Sequence, residues 1–92
     1  MPSATVTLVN PTGLHARPAK VFAKAAAGTG LDVKVAKDGN EVNAKSTLSV
    51  LTLDCHHGDQ ITITVVGDDS AAAAAALAEL VRLVESGIGE EI

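Results

Sequence analysis

The most informative chemistry in this sequence lies in the segment Gly13–Ala19, which contains His15 and Arg17. The turn residues before it and the apolar pattern after it predict that the segment leads into a helix. The first N–H groups of a helix lack partners within it, so they can bind an anion. The same field disfavours a protonated imidazole, so we expect His15 to be neutral and nucleophilic near pH 7. The Arg17 guanidinium offers paired donors that suit phosphate.

Together these features indicate a residue that accepts a phosphoryl group and a neighbour that holds it. The same spacing also fits a histidine near a helix start and a solvated arginine with no chemical role, because short motifs are poorly specific. The residues alone leave both interpretations open.

A second cluster, Cys55, His56 and His57, offers sulfur and imidazole ligands of the kind that bind zinc. A structural zinc site needs four ligands in a defined geometry, which three consecutive residues rarely supply. We therefore predict no metal site and interpret the three residues as part of a surface turn before Gly58, with a partly buried thiol. A small metal-binding protein is the alternative function that this cluster keeps open.

The composition narrows the class of protein. The chain has 92 residues, a formal net charge of −4, one aromatic residue, Phe22, and one cysteine. This length favours a single domain over residues 1–92. The shortage of aromatic rings and the negative charge argue against nucleic acid as a partner. With one cysteine, no apolar stretch near the length of a membrane span (about 18 residues) and no secretory signal, we expect a cytoplasmic protein.

The charges are unevenly distributed along the chain. Residues 1–53 carry six basic and three acidic side chains, a balance of +3, whereas residues 54–92 carry one basic and eight acidic side chains, a balance of −7. Such a split has two explanations: chance in a small protein, or a positively charged face that binds an anion. His15 and Arg17 belong to the positive half.

Hydrophobic periodicity predicts four strands that position these residues. Apolar and polar side chains alternate in Ala4–Val9, Leu31–Ala36 and Ile61–Val65. The dipeptide Asp38-Gly39 is typical of a type I′ turn, which predicts a short further strand over Glu41–Ala44. The segment 46–53 leans weakly towards a strand by propensity, but its spacing also fits a short helix.

Two longer helices are predicted where apolar residues recur every three or four positions. The first has Pro18 in its first turn and ends near Gly28 or Gly30. The second has Ser70 as its N-cap and ends at Gly87. The expected buried positions are Ala19, Phe22, Ala23 and Ala26 in the first helix and Ala73, Ala74, Leu77, Leu80, Val81 and Val84 in the second. One sheet with the helices on one face would bury these stripes together.

The motifs Gly13–Ala19, Asn43–Ser46 and Gly58–Ile63, in this order, resemble HPr, the family of histidine-containing phosphocarriers of the bacterial sugar phosphotransferase system. The resemblance covers nearly the whole chain, and the run Leu-His-Ala-Arg-Pro-Ala is its most specific part. It implies an α+β fold, an open-faced β-sandwich in which three helices cover one face of a four-stranded antiparallel sheet (βαββαβα). It also implies that the segment 46–53 is a short helix.

The resemblance implies a phosphocarrier and not an enzyme. Enzyme I, charged by phosphoenolpyruvate, would phosphorylate His15 on Nδ1, and the group would pass to a IIA domain of a sugar permease. Arg17 would stabilise the phosphate, with help from the backbone N–H groups of Ala16 and Arg17. The resemblance implies a monomer that needs no bound metal or organic cofactor and does not insert into a membrane.

The resemblance also implies a docking face and a regulatory site. The residues expected to bind partners are Lys20, Lys24, Thr47, Leu48, Leu51 and Thr52. Ser46 matches the position that an HPr kinase/phosphorylase modifies in the family, and its hydroxyl is also expected to cap the short helix. A binding module regulated at Ser46, or a nitrogen-regulatory or dihydroxyacetone-linked relative, is the alternative function.

Overall fold

Side chains of the first strand alternate between core and solvent, because a strand has a period of two residues. In the computed structural model, which describes residues 2–88, Val6 and Leu8 are buried whereas Thr5 and Thr7 are exposed. The elements in chain order are β1 (Ser3–Thr7), α1 (Ala16–Gly28), β2 (Asp32–Lys37), β3 (Asn40–Asn43), α2 (Thr47–Leu51), β4 (Gln60–Val66) and α3 (Ser70–Glu85). The predicted strands are thus confirmed, with ends that differ by one or two residues.

The four strands form one antiparallel sheet in the order β1-β4-β2-β3. Strand β1 pairs with β4 so that Thr7 lies opposite Gln60. Because the two strands are antiparallel, the loop that follows β1 lies beside the loop that precedes β4. These loops, residues 8–15 and 54–59, are far apart in the sequence, and the sheet brings them together.

The β2–β3 hairpin turns as its sequence predicts. Asp38 and Gly39 have φ angles of +52° and +84°, as both central residues of a type I′ turn require. The helices cover one face of the sheet, and the open-faced α+β sandwich is therefore confirmed. The largest fully buried side chains include Phe22, Leu8, Leu14, Ile61, Ile63, Leu80 and Ile88.

The first helix buries the predicted stripe, since Ala19, Phe22, Ala23 and Ala26 are all buried. In α3 the stripe is narrower than predicted. Ala73, Leu80 and Val84 are buried and Leu77 and Val81 are half-buried, but Ala74 is exposed. A step of one residue turns a helix by about 100°, which carries Ala74 away from the core line through Ala73.

One local prediction is wrong. Asp69, and not Ser70, is the N-cap of α3, because its carboxylate accepts the N–H groups of Ala71 and Ala72 at 3.0 and 3.1 Å. The segment 46–53 contains the helix α2, as the family resemblance implies and against its weak strand propensity, and Ser46 caps the helix by accepting the N–H of Ser49. None of the helices within residues 2–88 is long and apolar enough to cross a membrane.

Candidate functional site

The loop that carries His15 is shaped by Gly13. The residue has φ of +63°, which favours glycine, and a Cβ there would overlap the backbone of Cys55 and His56. The next residue, Leu14, is buried and donates its N–H to the carbonyl of Cys55 at 3.1 Å. The close approach of the two loops therefore depends on a missing side chain.

Further hydrogen bonds join the loop after β1 to the loop before β4. Leu8 donates its N–H to Asp59 and accepts the N–H of Gly58, both at 2.8 Å. Buried Asn10 donates its side-chain amide to Gly13 O at 2.7 Å, and its own carbonyl lies 3.2 Å from His57 Nδ1. The backbone around His15 is thus fixed from both sides.

His15 occupies the N-cap position of α1 but does not cap the helix with its side chain. Its Nδ1 lies 2.7 Å from Thr12 O, and its Nε2 lies 3.1 Å from Asp54 Oδ1. A carbonyl oxygen only accepts, so Nδ1 carries a hydrogen in this arrangement. The side chain is 36% exposed, so solvent and a partner can reach the ring.

The backbone on each side of this contact adopts positive φ angles in residues other than glycine. Ala16 has φ of +43° and Asp54 has φ of +52°. Such conformations cost about 1–3 kcal/mol each and are concentrated at functional sites. Here the two residues lie on either side of the contact between the imidazole of His15 and the carboxylate of Asp54.

Two contacts of His15 act against the expected effect of the helix field on its pKa. The Thr12 carbonyl and, next, the Asp54 carboxylate raise the pKa of His15, because both favour the ring with two N–H groups. The hydrogen bonds from His15 and His56 lower the pKa of Asp54 in turn. The pKa of His15 therefore depends on two acceptors in direct contact with the ring.

The cluster of Cys55, His56 and His57 does not act as one unit. Cys55 is buried, more completely than predicted, and burial raises its pKa to about 11, so the thiol is a poor nucleophile. His56 and His57 are exposed, as predicted, but they face different partners. His56 Nε2 lies 3.2 Å from Asp54 Oδ1, and its ring centroid is 4.8 Å from that of His15.

Lys37 fixes the loop that supplies Asp54. Its ammonium group donates to the carbonyl of Asp54 at 2.8 Å and lies 2.9 Å from Asp59 Oδ2. The same carboxylate of Asp59 accepts the backbone N–H of His56 at 2.8 Å. The loop before β4 is therefore held by charged hydrogen bonds as well as by the first loop.

The exposed face of α1 is basic beside His15. Arg17, Lys20 and Lys24 are exposed and, together with Ala16 and Val21, line a shallow depression. Among residues 2–88, none of these three basic side chains forms an ion pair or a hydrogen bond. Lys37 and Lys45 are instead paired with Asp59 and Asp32. The positive charge near the start of α1 is thus free to meet an anion.

The start of α1 adds backbone donors to this charge. The N–H groups of Ala16 and Arg17 belong to the first turn, where no partner exists within the helix. Pro18 lacks an N–H, so its position leaves no unsatisfied donor. The geometry brings two N–H groups, a guanidinium and an imidazole to one end of the helix.

The predicted docking residues lie on two helices that pack against each other, α1 and α2, and on the C-cap of α2, Thr52. Leu48 is 78% exposed, which is unusual for a large apolar side chain and typical of a contact surface. Thr52 is exposed and Thr47 is half-buried, whereas Leu51 packs in part against the core. Ser46 is half-buried at the start of α2.

Sequence reasoning missed Asp54, the carbonyl of Thr12 and the place of His56 beside His15. The signal that would have found them is the sheet order, because antiparallel pairing of β1 with β4 places residues 54–59 beside the loop after β1. Without that pairing, His15 and Asp54, 39 residues apart, have no reason to be considered together. One ligand atom each from His15, Asp54 and His56 lie within 4.8 Å of one another, the one such group within residues 2–88 that could hold a metal ion.

Comparison with known proteins places this geometry in a family. Residues 2–82 match the family model described as the PTS HPr component phosphorylation site. A phosphocarrier protein HPr of Streptomyces coelicolor (strain ATCC BAA-471 / A3(2) / M145) is 48% identical over 79 residues, which cover 85% of this chain and 82% of that protein.

Solved structures of HPr proteins have the same fold as this chain. The crystal structure of HPr-C-His from Thermoanaerobacter tengcongensis superposes with a TM-score of 0.85 at 38% identity and covers 100% of both chains. The phosphocarrier protein HPr from Bacillus anthracis str. Ames superposes with a TM-score of 0.82 at 37% identity, covering 90% of this chain and 95% of that one.

Proposed function

Since this chain belongs to the HPr family of phosphocarrier proteins, we propose that it accepts a phosphoryl group on His15 from phosphorylated enzyme I and passes it to IIA domains of sugar permeases. The observation that carries the proposal is the exposed imidazole of His15 at an uncapped helix start, with the unpaired guanidinium of Arg17 in the first turn. The proposed nucleophile and the proposed phosphate-binding groups thus lie together at the solvent-accessible start of α1.

The proposed acceptor atom is Nδ1, following the family. Nδ1 donates a hydrogen bond to Thr12 O at 2.7 Å, so it must first release its proton to solvent. The lone pair of the deprotonated nitrogen would then face the carbonyl oxygen, and this repulsion moves the ring away from Thr12. The N–H on Nε2 stays hydrogen-bonded to Asp54, which keeps the ring in the tautomer whose Nδ1 can attack.

In the transfer, the bond between phosphorus and the donor breaks while the bond between phosphorus and Nδ1 forms. The transferred group carries negative charge throughout, so positioning and charge stabilisation supply most of the rate. Arg17 and the N–H groups of Ala16 and Arg17 are suited to both. The reverse exchange of bonds delivers the group to the IIA domain, and the imidazole leaves intact.

We assign docking to the exposed surface of α1 and α2. Lys20 and Lys24 supply a basic rim, and the exposed side chain of Leu48 supplies an apolar contact. An apolar centre with a charged rim suits a transient complex with an acidic partner. Ser46 starts α2 at this surface, so a phosphate there would add a charge of about −2 where partners bind.

The decisive experiment incubates the protein with enzyme I and labelled phosphoenolpyruvate and measures the protein-bound phosphate. We expect an acid-labile, base-stable label that His15→Ala abolishes and His57→Ala retains, since both residues are exposed histidines of neighbouring loops. Adding IIA domains should then remove the label. Labelling of His15→Ala at the rate of the unchanged protein would overturn the proposal.

A further inference from the structure

We propose that His15, Asp54 and His56 form a binding site for one zinc ion. His15 Nε2 and His56 Nε2 lie 3.1 and 3.2 Å from the same atom, Asp54 Oδ1. Ligands about 2.0–2.1 Å from a tetrahedral zinc ion are about 3.3 Å apart, so these two separations need little adjustment. All three ligand atoms lie within 4.8 Å of one another, so binding requires the two imidazoles to move closer together. Two imidazoles and one carboxylate are also a known donor set for zinc sites that keep a position open.

The orientation of His15 prepares its Nε2 for a metal ion. Its Nδ1–H donates to the carbonyl of Thr12 at 2.7 Å, the outer contact by which proteins orient a metal-binding histidine. Zinc replaces the proton on Nε2, which is released to solvent, so that the lone pair of Nε2 binds the ion while Nδ1 keeps the proton that it donates to Thr12. The ion then lies between Nε2 and Oδ1 of Asp54 and also binds His56.

The other two ligands are held by the same loop. The backbone N–H of His56 donates to Asp59 at 2.8 Å, and the carbonyl of Asp54 accepts from Lys37 at 2.8 Å. Lys37 borders the proposed site, and its charge is compensated by Asp59. Asp54 and His56 are exposed, so an ion can enter from solvent and a water molecule can complete the coordination.

Zinc binding itself does not depend on the proposed phosphoryl transfer, but its consequence does. A zinc ion on Nε2 fixes the ring in the position where Nδ1 donates to Thr12 and carries its proton. In that position Nδ1 cannot attack phosphorus. We therefore expect bound zinc to inhibit phosphorylation of His15 reversibly.

The test uses tag-free protein, stripped of metal with a chelator, and isothermal titration with zinc chloride. We expect one ion per chain with a Kd below about 100 µM. His56→Gln should weaken binding at least about tenfold, because it removes a ligand. His57→Gln is the matched control and should bind like the unchanged protein, since its ring faces Asn10 instead. Magnesium, which prefers oxygen ligands, should give no saturable binding.

Two outcomes would overturn the site: no saturable zinc binding by the unchanged protein, or equal losses in His56→Gln and His57→Gln. The inhibition is tested separately, by comparing labelling with enzyme I in the presence of zinc with each protein's own zinc-free rate. Zinc should slow the unchanged protein more than His56→Gln, and equal slowing would refute the inhibition. Absence of labelling without zinc would instead refute the phosphocarrier proposal and leave the titration unaffected.

Discussion

Helices α1 and α3 both begin after a loop, but their first N–H groups have different partners. At α3, the carboxylate of Asp69 accepts two of these N–H groups and completes the helix internally. At α1, His15 occupies the equivalent position, and its side chain turns away towards Thr12 and Asp54. The same physical feature, a row of unpaired donors, is therefore satisfied at one helix and left open at the other.

The comparison shows how a small protein separates stability from function. A capped helix start contributes about 1 kcal/mol to stability. An uncapped one forgoes that contribution but keeps its donors available for an anion that arrives with a partner. Changes at the start of α1 should thus alter activity, and changes at the start of α3 should alter stability.

The largest direct effect on phosphoryl transfer is expected from Arg17→Ala at the uncapped start of α1. Loss of a guanidinium that stabilises a transferring phosphoryl group should slow labelling by enzyme I about 100-fold. The free energy of unfolding should change by less than about 0.5 kcal/mol, because Arg17 is an exposed residue without an ion pair in the described part of the chain. Quench-flow labelling and urea unfolding measure the two quantities.

Arg82→Ala is the control, because Arg82 is an exposed arginine of α3 that pairs with Glu79. It should be labelled at the rate of the unchanged protein. Equal slowing in Arg82→Ala would mean that overall charge matters and the open helix start does not.

Gly13→Ala should disrupt the loop that positions His15 at the uncapped start of α1. Positive φ and the overlap with the backbone of Cys55 and His56 should lower the free energy of unfolding by about 3 kcal/mol. Labelling should fall as well, because His15 loses its position. Gly28→Ala, at a glycine with no atom near its added Cβ, should instead be neutral or stabilise by about 0.5 kcal/mol. Similar urea midpoints for the two variants would contradict the role of Gly13.

Asp69→Ala should affect only the stability that comes from the capped start of α3. Removing an acceptor of two N–H groups should lower the free energy of unfolding by about 1.5 kcal/mol, while labelling below the unfolding transition stays unchanged. Asp68→Ala removes the same charge one residue earlier, without a cap, and should cost less than about 0.5 kcal/mol. Equal losses in the two variants would show that charge and not capping explains the effect.

Ser46→Asp should leave stability intact, because aspartate caps as well as serine. The added charge lies at the proposed docking surface and should slow labelling about fivefold at limiting enzyme I, which corresponds to a charge interaction of about 1 kcal/mol. The effect should shrink at high salt. Ser70→Asp at the start of α3 should have no effect on labelling, and slowing by both variants would rule out a local role for Ser46.

The smallest effect is expected from Asp54→Asn. The Asp54 carboxylate helps Thr12 to raise the pKa of His15, so its neutralisation should lower that pKa. A raised pKa contributes stability that is complete below the unfolded value, about 6.5, and is lost as pH rises through the folded value. The variant should lose part of this contribution, and its labelling rate should reach its plateau at lower pH. The pKa of His15 is measured by following its ring signal by NMR across a pH titration, with EDTA present. Asp38→Asn is the control variant. An unchanged His15 pKa in Asp54→Asn would contradict the contact between Asp54 and His15.

Much of the fold could be predicted from the sequence, because its signals are local. Alternation identified the strands, the spacing of Phe22 and its alanine neighbours identified the buried side of α1, and Asp38-Gly39 identified the hairpin. The short helix α2 could not be settled by local pattern, since five residues fit a strand as well as a helix. Family resemblance decided it correctly.

The site was only half predictable for a related reason. His15 and Arg17 lie in one short segment with recognisable spacing, so sequence alone draws attention to them. Asp54 and His56 join them only through the pairing of β1 with β4, a contact that no local pattern encodes. The direction of the His15 pKa was also missed, because the helix field can be inferred from sequence whereas the Thr12 and Asp54 contacts depend on tertiary structure.

The pairing of β1 with β4 also has a consequence for biosynthesis. Ser3 pairs with Thr64, so more than two thirds of the 92 residues must be made before the first strand can pair along its whole length. Contacts this distant in sequence form late and slow folding. A nascent chain therefore exposes His15 before Asp54 and the loop before β4 are in place. We expect competence to accept a phosphoryl group to appear together with complete folding, which keeps unfinished chains out of the exchange.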